Sequence, residues 1–260
     1  MLGNDSLRYE RLAEHIVVLT IDRPDARNAI DGLVTAGLDA ALKATEADND
    51  IQVVILTGTG EQAFCAGADL KAIARGDGAS LSTATGGFAG LTRARRTKVW
   101  IAAVNGAALA GGCELALACD LIVASSGATF GLPEPKRGLI AAAGGVFRLI
   151  RSLPRAIALE LIATGDHLTA SRAFDFGFVN HVVPPDAVLD AALSLAKKIT
   201  ANAPLAVRES LMIAREAASL DESSLWSLSD QAYRRIRATE DFREGPKAFL
   251  EKRLPRWQGR

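Results

Sequence analysis

Two glutamates occupy stretches of the sequence in which a charged side chain is unexpected. Glu114 lies in a run otherwise built from Ala, Leu, Gly and Cys, and Glu134 lies between Pro133 and Pro135. A carboxylate among apolar neighbours is costly unless it is paired or used. Two carboxylates that share one water can act as base and acid in an addition or elimination. The alternative is structural, with Glu114 favouring a helix N-terminus and Glu134 serving as a loop charge.

Two turns of small residues offer backbone N–H groups to a ligand. They are Ala66-Gly67-Ala68-Asp69 and Gly111-Gly112-Cys113-Glu114, and each precedes a helix-like segment. The first N–H groups of a helix have no acceptor within it, and two that converge on one oxygen form an oxyanion hole. Small side chains let the ligand approach the backbone closely. The alternative is that these glycines serve packing alone.

A strand, a glycine turn and a helix position Glu114. Residues 99–104 are β-branched and aromatic, Asn105-Gly106 ends that strand, and a short apolar helix is predicted over 113–119. Over the whole chain up to about residue 183, strands and helices alternate, and only helices follow. This order predicts an α/β core with a helical tail. Further strands are predicted at 16–21, 53–57, 121–124 and 179–183. Further helices are predicted at 29–48, 68–74, 88–98, 144–153, 154–163, 169–176, 188–201, 204–218, 220–238 and 241–252, with loops at 76–87, interpreted as a mobile rim, and 125–138.

Composition excludes several classes of protein. The chain has 260 residues, with 30 Lys and Arg balanced by 30 Asp and Glu, which argues against a nucleic-acid partner. The charged N-terminus predicts no signal peptide, and the uncharged run 99–113 is too short to span a membrane. Three cysteines without metal-type spacing indicate reduced thiols, a cytoplasmic location and no metal site.

Nucleophilic catalysis is the competing chemistry. Cys65 lies beside one small-residue turn, but no histidine is near it in sequence. A serine, histidine and aspartate triad remains open, because its members need only meet in space. Phosphate-binding and dinucleotide-binding glycine motifs are absent.

Six motifs in order resemble the enoyl-CoA hydratase/isomerase (crotonase) superfamily across residues 16–257. They are Asp22-Arg-Pro-Asp-Ala-Arg-Asn-Ala, Phe64-Cys-Ala-Gly-Ala-Asp-Leu, Ala103-Val-Asn-Gly-Ala-Ala-Leu-Ala-Gly-Gly-Cys-Glu-Leu-Ala, Phe130-Gly-Leu-Pro-Glu, Ala173-Phe-Asp-Phe-Gly-Phe-Val-Asn and Ala248-Phe-Leu-Glu-Lys-Arg. The resemblance implies a crotonase-like spiral of β-β-α units over 1–195 and a helical trimerisation part over 196–260. It also implies a homotrimer or a hexamer of two trimers, and a place in lipid metabolism.

The resemblance further implies an acyl-CoA thioester substrate and no separate cofactor, since the coenzyme A belongs to the substrate. The N–H groups of Ala66 and Gly111 would form the oxyanion hole. Glu114 would take a proton from water and Glu134 would protonate Cα, so the enzyme would be an enoyl-CoA hydratase. The implied CoA contacts are Ala26, Arg27, Ala66, Gly67, Ala68, Asp69, Leu70, Phe249 and Lys252.

The sequence also departs from the family pattern. Ala110 occupies a position where many members have glycine, and Glu134-Pro-Lys-Arg-Gly is similar to the branch that includes carnitinyl-CoA (crotonobetainyl-CoA) hydratases. Isomerisation, carnitinyl-CoA chemistry and an inactive acyl-CoA-binding protein therefore stand as alternatives to hydration of a simple enoyl-CoA.

Overall fold

A computed structural model describes residues 3–260 of the chain. It consists of two compact units, with the boundary between Ala196 and Lys197. No helix in the described range 3–260 is long and apolar enough to cross a bilayer. The cytoplasmic location inferred from the sequence stays a prediction.

The first unit contains a six-stranded sheet, a four-stranded sheet and a small hairpin. Their strands are β1 Leu7–Ala13, β2 Ile16–Ile21, β3 Val53–Gly58, β4 Ala63–Cys65, β5 Ser82–Thr83, β6 Gly87–Phe88, β7 Val99–Val104, β8 Ala107–Leu109, β9 Leu121–Ser125, β10 Thr129–Gly131, β11 His167–Thr169 and β12 His181–Val183.

The larger sheet has the order β1-β2-β3-β7-β9-β12. Its first pair is antiparallel and its other pairs are parallel. Strands β2, β3 and β7 are buried along their whole length, which explains why their sequences are continuous apolar runs rather than alternating ones. The strand predicted at 99–104 is confirmed at both ends.

The smaller sheet has the order β11-β10-β8-β4, in which β4, β8 and β10 are parallel. The chain gives one strand to the larger sheet and the next to the smaller one, as β3 then β4, β7 then β8, and β9 then β10. A short helix follows each pair. This repeated β-β-α turn is the spiral that the resemblance implied, so the predicted fold class is confirmed.

Ten α-helices and four 3-10 helices complete the described residues. The α-helices are α1 Gly32–Ala47, α2 Leu70–Ala74, α3 Gly111–Ala118, α4 Gly145–Ser152, α5 Arg155–Thr164, α6 Ala170–Asp175, α7 Val188–Thr200, α8 Pro204–Glu216, α9 Glu222–Arg237 and α10 Asp241–Leu250. The 3-10 helices are Pro24–Ala26, Asp77–Leu81, Glu134–Arg137 and Pro185–Ala187.

The second unit is helical, as predicted. The Asp221 carboxylate caps α9 by accepting from the Ser224 N–H, and Arg235 of that helix pairs with Glu209 of α8 at 2.6 Å. The C-terminal segment folds back, with the Trp257 indole N–H donating to the Ala201 carbonyl at 2.8 Å.

The helix predicted at 88–98 is wrong. Ala89 and Gly90 both have left-handed backbone conformations, with φ of 54° and 67°, and this prevents a right-handed helix from starting there. Residues 87–88 instead pair with 82–83 as a hairpin, so the predicted loop 76–87 contains a 3-10 helix and a strand. The mobility expected of that loop stays a prediction.

Candidate active site

The carboxyl ends of three adjacent parallel strands carry the predicted site residues. Cys65 of β4 pairs with Ala108 of β8, and Leu109 of β8 pairs with Gly131 of β10. Each strand is followed within five residues by a candidate group, so the parallel order brings these groups to one edge of the smaller sheet. This is the edge at which α/β sheets usually bind ligands.

The two small-residue turns meet at this edge. A methyl group on Gly67 would lie 2.9 Å from the amide nitrogen of Gly111 and 2.9 Å from the Ala110 Cβ. Such distances are too short for any side chain, and Gly67 also has a φ of 94°. Glycine is therefore required at residue 67 for the two turns to converge.

The first turn requires a correction to the predicted oxyanion hole. The Ala66 N–H donates to the Arg27 carbonyl at 3.0 Å, so it is engaged within the protein. The Ile30 N–H then donates to the Gly67 carbonyl, and the Asp69 N–H donates to the Ile30 carbonyl. Within residues 3–260, the Ala68 N–H between these bonds has no acceptor, so Ala68 rather than Ala66 can donate to a ligand.

The second turn presents the Gly111 N–H at the start of α3. Ala110, the residue before it, has φ 52° and ψ −127°, a conformation that normally requires glycine. The first intrahelical bond of this turn runs from the Glu114 N–H to the Ala110 carbonyl at 3.0 Å. In the described part of the chain the Gly111 N–H has no acceptor. A methyl on Gly111 would lie 2.5 Å from the Phe88 ring, so that ring closes one side of the turn.

Glu114 is buried, with 4% of its surface exposed, and its carboxylate is held by backbone donors. Its Oε1 accepts from the Gly145 N–H at 2.9 Å, and the Ala143 N–H also donates to the carboxylate. Burial raises the pKa of Glu114, while these two donors and the nearby Arg148 charge oppose the rise. The N-terminus of α4 thus favours the ionised form.

Glu134 begins the 3-10 helix after Pro133 and is also buried, with 9% exposure. Its Oε2 has no hydrogen-bond partner in residues 3–260. Burial raises the pKa of Glu134 and repulsion from the Glu114 charge raises it further, while the Glu134 backbone N–H and the Arg137 charge oppose the rise. The two carboxyl groups therefore interact, and burial raises the pKa of both. Their surroundings differ, because Glu114 accepts from the backbone at the start of α4 whereas one oxygen of Glu134 has no partner among the described residues.

The residues predicted to contact CoA fall into two groups. Ala26 and Arg27 lie beside the first turn, through the bond from the Ala66 N–H to the Arg27 carbonyl. The Asp69 carboxylate caps α2 and pairs with Arg23 at 2.9 Å, so it has a structural role in shaping this turn. Leu70 is 56% exposed. Phe249 and Lys252 lie in the second unit, where Phe249 is exposed, and all CoA contacts stay predictions.

Sequence reasoning missed the residues that surround the acids. Ala143, Gly145 and Arg148 were not assigned to the site, and Ala68 was assigned as a CoA contact rather than as an oxyanion donor. The pair Gly144-Gly145 at the start of the predicted helix 144–153 was the available signal, because a helix N-terminus binds a carboxylate.

The nucleophilic alternatives find no support. Burial raises the pKa of the Cys65 thiol to about 12, so it is not a thiolate at neutral pH. Among residues 3–260, no hydrogen bond joins a serine hydroxyl to a histidine ring, as a catalytic triad requires.

Comparisons with known proteins agree with this fold. The family model described as "Enoyl-CoA hydratase/isomerase" matches residues 11–260. Carnitinyl-CoA dehydratase from Salmonella arizonae is 43% identical, covering 98% of this chain and 99% of that protein. Mevalonyl-coenzyme A hydratase from Aspergillus fumigatus is also 43% identical, covering 94% of this chain and 92% of that protein. The crystal structure of an enoyl-CoA hydratase from Mycobacterium marinum superposes with a TM-score of 0.94 at 45% identity, covering 99% of this chain and 100% of that one.

A β-β-α spiral thus carries two buried carboxyl groups close to two turns of small residues, at one edge of its smaller sheet. The chain belongs to the enoyl-CoA hydratase/isomerase family. It is a hydro-lyase, and its reaction is the crotonase type of hydration of an acyl-CoA.

Proposed function

We propose that the protein adds water across the 2,3 double bond of an enoyl-CoA thioester, with Glu114 as the base and Glu134 as the acid. The observation that carries this assignment is the unequal treatment of the two carboxyl groups. Glu114 accepts hydrogen bonds from the N-terminus of α4, whereas Glu134 has an oxygen without a partner in residues 3–260. Hydrogen bonds to a carboxylate favour its ionised form, so the carboxyl group with the backbone donors is the better base and the other is the better acid.

The reaction uses each group once. The Glu114 carboxylate takes a proton from a bound water as the water oxygen bonds to Cβ. The π electrons of the double bond move to the thioester oxygen, which becomes an enolate. The protonated Glu134 then gives its proton to Cα, the carbonyl reforms, and the product is a 3-hydroxyacyl-CoA. Proton transfer by a positioned side chain contributes roughly 10² to 10⁴ in rate.

The Ala68 and Gly111 N–H groups are proposed to bind the enolate oxygen. Both are fixed by the fold, Ala68 by the bonds of its neighbours to Ile30 and Gly111 by the start of α3. Donors that are already oriented stabilise charge without reorganising, and each is worth about 3 kcal/mol of barrier. The reaction is proposed to need no separate cofactor, since the coenzyme A belongs to the substrate.

A hydratase for a carnitinyl-type thioester is the second candidate. The 43% identity to a carnitinyl-CoA dehydratase favours it, and the equal identity to a mevalonyl-coenzyme A hydratase broadens the choice of 3-hydroxyacyl group. The chemistry at the two acids is the same for all three. Isomerisation differs, because it needs no water and can proceed with one acid.

The test is to incubate the purified protein with crotonyl-CoA, crotonobetainyl-CoA and the dehydrated form of mevalonyl-CoA. Hydration removes the conjugated thioester absorbance and adds the mass of one water, whereas isomerisation leaves the mass unchanged. Glu114→Gln and Glu134→Gln should each lower kcat by about 10² to 10⁴. The control is Gln62→Glu, at a polar residue with no assigned role in the site, and this variant should keep native activity. A native protein that hydrates none of the three thioesters would contradict the proposal.

We further propose that the chain assembles as a trimer or a pair of trimers. Three large apolar side chains near the C-terminus support an assembly, because Phe249, Leu250 and Leu254 are each at least 80% exposed. Phe249 and Lys252 would then reach the CoA of a neighbouring subunit. Light scattering coupled to size-exclusion chromatography measures the mass, and a monomer would contradict this assembly.

A further inference from the structure

We propose that Arg148 is a positioning residue for Glu114: its guanidinium braces the turn that holds the Glu114 carboxylate and supplies a positive charge beside it. This inference rests on the proposed role of Glu114 as the base. Arg148 lies on α4, one turn after the two residues whose N–H groups donate to Glu114. It is therefore placed to act on the carboxylate through the backbone between them.

The first observation is the pair of hydrogen bonds that the guanidinium makes. Its Nη1 donates to the Ala143 carbonyl at 3.2 Å, while the Ala143 N–H donates to Glu114. Its Nη2 donates to the Thr92 carbonyl at 2.6 Å. One planar fork therefore joins the turn that holds Glu114 to the segment that contains Thr92.

The segment that contains Thr92 also contacts the turn that carries the Gly111 N–H. The Thr92 N–H donates to the Phe88 carbonyl at 3.2 Å, and the Phe88 ring contacts Gly111. Arg148 thus connects the backbone behind the base to the ring beside the Gly111 amide. A substitution that removes the guanidinium therefore removes a hydrogen bond to the turn that holds Glu114 and one to the segment that contains Thr92.

A further observation explains the glycine pair at the start of α4. A methyl on Gly144 would lie 2.4 Å from the Arg148 Nη1, and a methyl on Gly145 would lie 3.0 Å from the Glu114 Cγ. Both glycines therefore leave room for close approach, Gly144 for the guanidinium and Gly145 for the carboxylate side chain. The glycine pair leaves room for an arginine and a glutamate at one turn, and the φ of 108° at Gly144 itself favours glycine.

The charge of Arg148 acts on Glu114 in a known direction. It opposes the rise in the pKa of Glu114 that burial causes, whereas Glu134 on the neighbouring 3-10 helix repels it. Cys113 on α3 also faces Glu114, but its thiol stays neutral because burial raises its pKa to about 12. Burial lowers the pKa of Arg148 itself, and the charges of Arg96 and Arg151 lower it further, while the Glu114 charge opposes this. Arg148 is thus a cation whose charge favours the ionised form of the base.

The experiment compares Arg148→Met with Arg148→Lys and with the control Arg151→Met. Arg151 lies on the same helix with its guanidinium 5.6 Å from the Phe147 ring centroid, and its removal changes total charge by the same amount. Each variant is assayed for kcat/KM against pH, with circular dichroism to confirm the fold. Arg148→Gln, which keeps a donor but no charge, replaces Arg148→Met if that variant does not fold.

Arg148→Met should move the acidic limb of the pH profile to higher pH. Below that limb kcat/KM should fall by more than it falls on the plateau, because a higher pKa of Glu114 leaves less of the base ionised there. Arg148→Lys keeps the charge and loses the fork, so its limb should stay in place while its plateau falls. Arg151→Met should match the native profile. A folded Arg148→Met with an unmoved limb would overturn the inference, because a purely structural residue would lower only the plateau.

A carboxyl ¹³C NMR titration separates this inference from the proposed function. The Glu114 signal is assigned by its loss in Glu114→Gln, and its midpoint is compared between native protein and Arg148→Met. A midpoint that rises in Arg148→Met supports the inference even if no thioester is hydrated. An unchanged midpoint refutes it even if hydration is efficient.

Discussion

Gly145 offers a direct test of how closely the position of Glu114 is controlled. A methyl group at this residue would lie 2.9 Å from the Leu132 Cδ2, 2.9 Å from the Ala141 Cβ and 3.0 Å from the Glu114 Cγ. Ordinary contact begins at 3.4 Å, so Gly145→Ala requires the three neighbours to withdraw by 0.4–0.5 Å. The backbone conformation of Gly145 is an ordinary helical one, and the substituted residue keeps its N–H donor. The perturbation is therefore almost purely a displacement.

The size of the effect follows from this displacement. Inserting a methyl into a filled site costs about 1–3 kcal/mol of folding free energy. A misplacement of 1 Å at a catalytic group costs about 10² in rate, so a shift of roughly half that distance should lower kcat by about tenfold. KM should change little, because the proposed CoA contacts lie on other segments.

The assay measures hydration of the best thioester substrate together with thermal unfolding. Gly127→Ala is the matched control, because its methyl would meet only the Ser125 Oγ at 3.8 Å. If Gly145→Ala unfolds at a lower temperature but retains native kcat, the Glu114 side chain does not need its observed position. Equal behaviour of both variants would refute the packing argument itself.

Three further substitutions test other parts of the site. Ala110→Gly should stabilise the protein by about 1 kcal/mol, because glycine adopts φ 52° without the strain that costs alanine about 1–3 kcal/mol. Calorimetry should therefore show a higher Tm. A lower Tm would mean that the contacts of the alanine methyl outweigh the strain. Glu134→Gln should gain stability over the native protein as pH rises, measured by urea unfolding at several pH values. Burial raises the pKa of Glu134 in the folded protein above its value in the unfolded chain. The folded state therefore holds the proton to higher pH, and the stability of the native protein falls as pH rises between the two pKa values. Parallel stability curves of the two proteins would refute this. Gly112→Ala should not fold, because its methyl would lie 1.9 Å from the Cys65 carbonyl oxygen, and a soluble variant with a native circular dichroism spectrum would contradict that.

The apolar patterns of the sequence predicted most of the fold. The buried strand at 99–104 and the helices at 145–152 and 188–200 lie within a residue or so of the predicted bounds, because long apolar runs and capping glycines leave little freedom. The short strands β4, β8 and β10 were missed. Three residues carry too little periodicity, and these strands form because their neighbours in the smaller sheet hold them.

The predictability of the site divides in the same way. Glu114 and Glu134 are conspicuous, since a carboxylate in apolar surroundings is visible in the sequence itself. The sequence does not show which of the Ala66 and Ala68 amides is available to a ligand. That depends on the hydrogen bond from the Ala66 N–H to the Arg27 carbonyl, which lies nearly forty residues earlier in the chain. Likewise the role of Gly145 depends on contacts between α3 and α4. Residue types can be read from the sequence, whereas the partner of each backbone amide requires the fold.

The spacing between base and acid depends on two successive turns of the spiral. Glu114 and the Gly111 amide are three residues apart on one rigid helix, so their separation is fixed within α3. Glu134 belongs to the next turn, and its distance from them is set by the β8 and β10 pairing, extended by the Ala110 N–H donating to the Gly131 carbonyl at 2.9 Å. A change in that register would leave the oxyanion donors and the base intact while moving the acid. Hydration would then suffer more than any reaction that needs only α3, which is a physical reason why one fold can support both two-acid and one-acid chemistry.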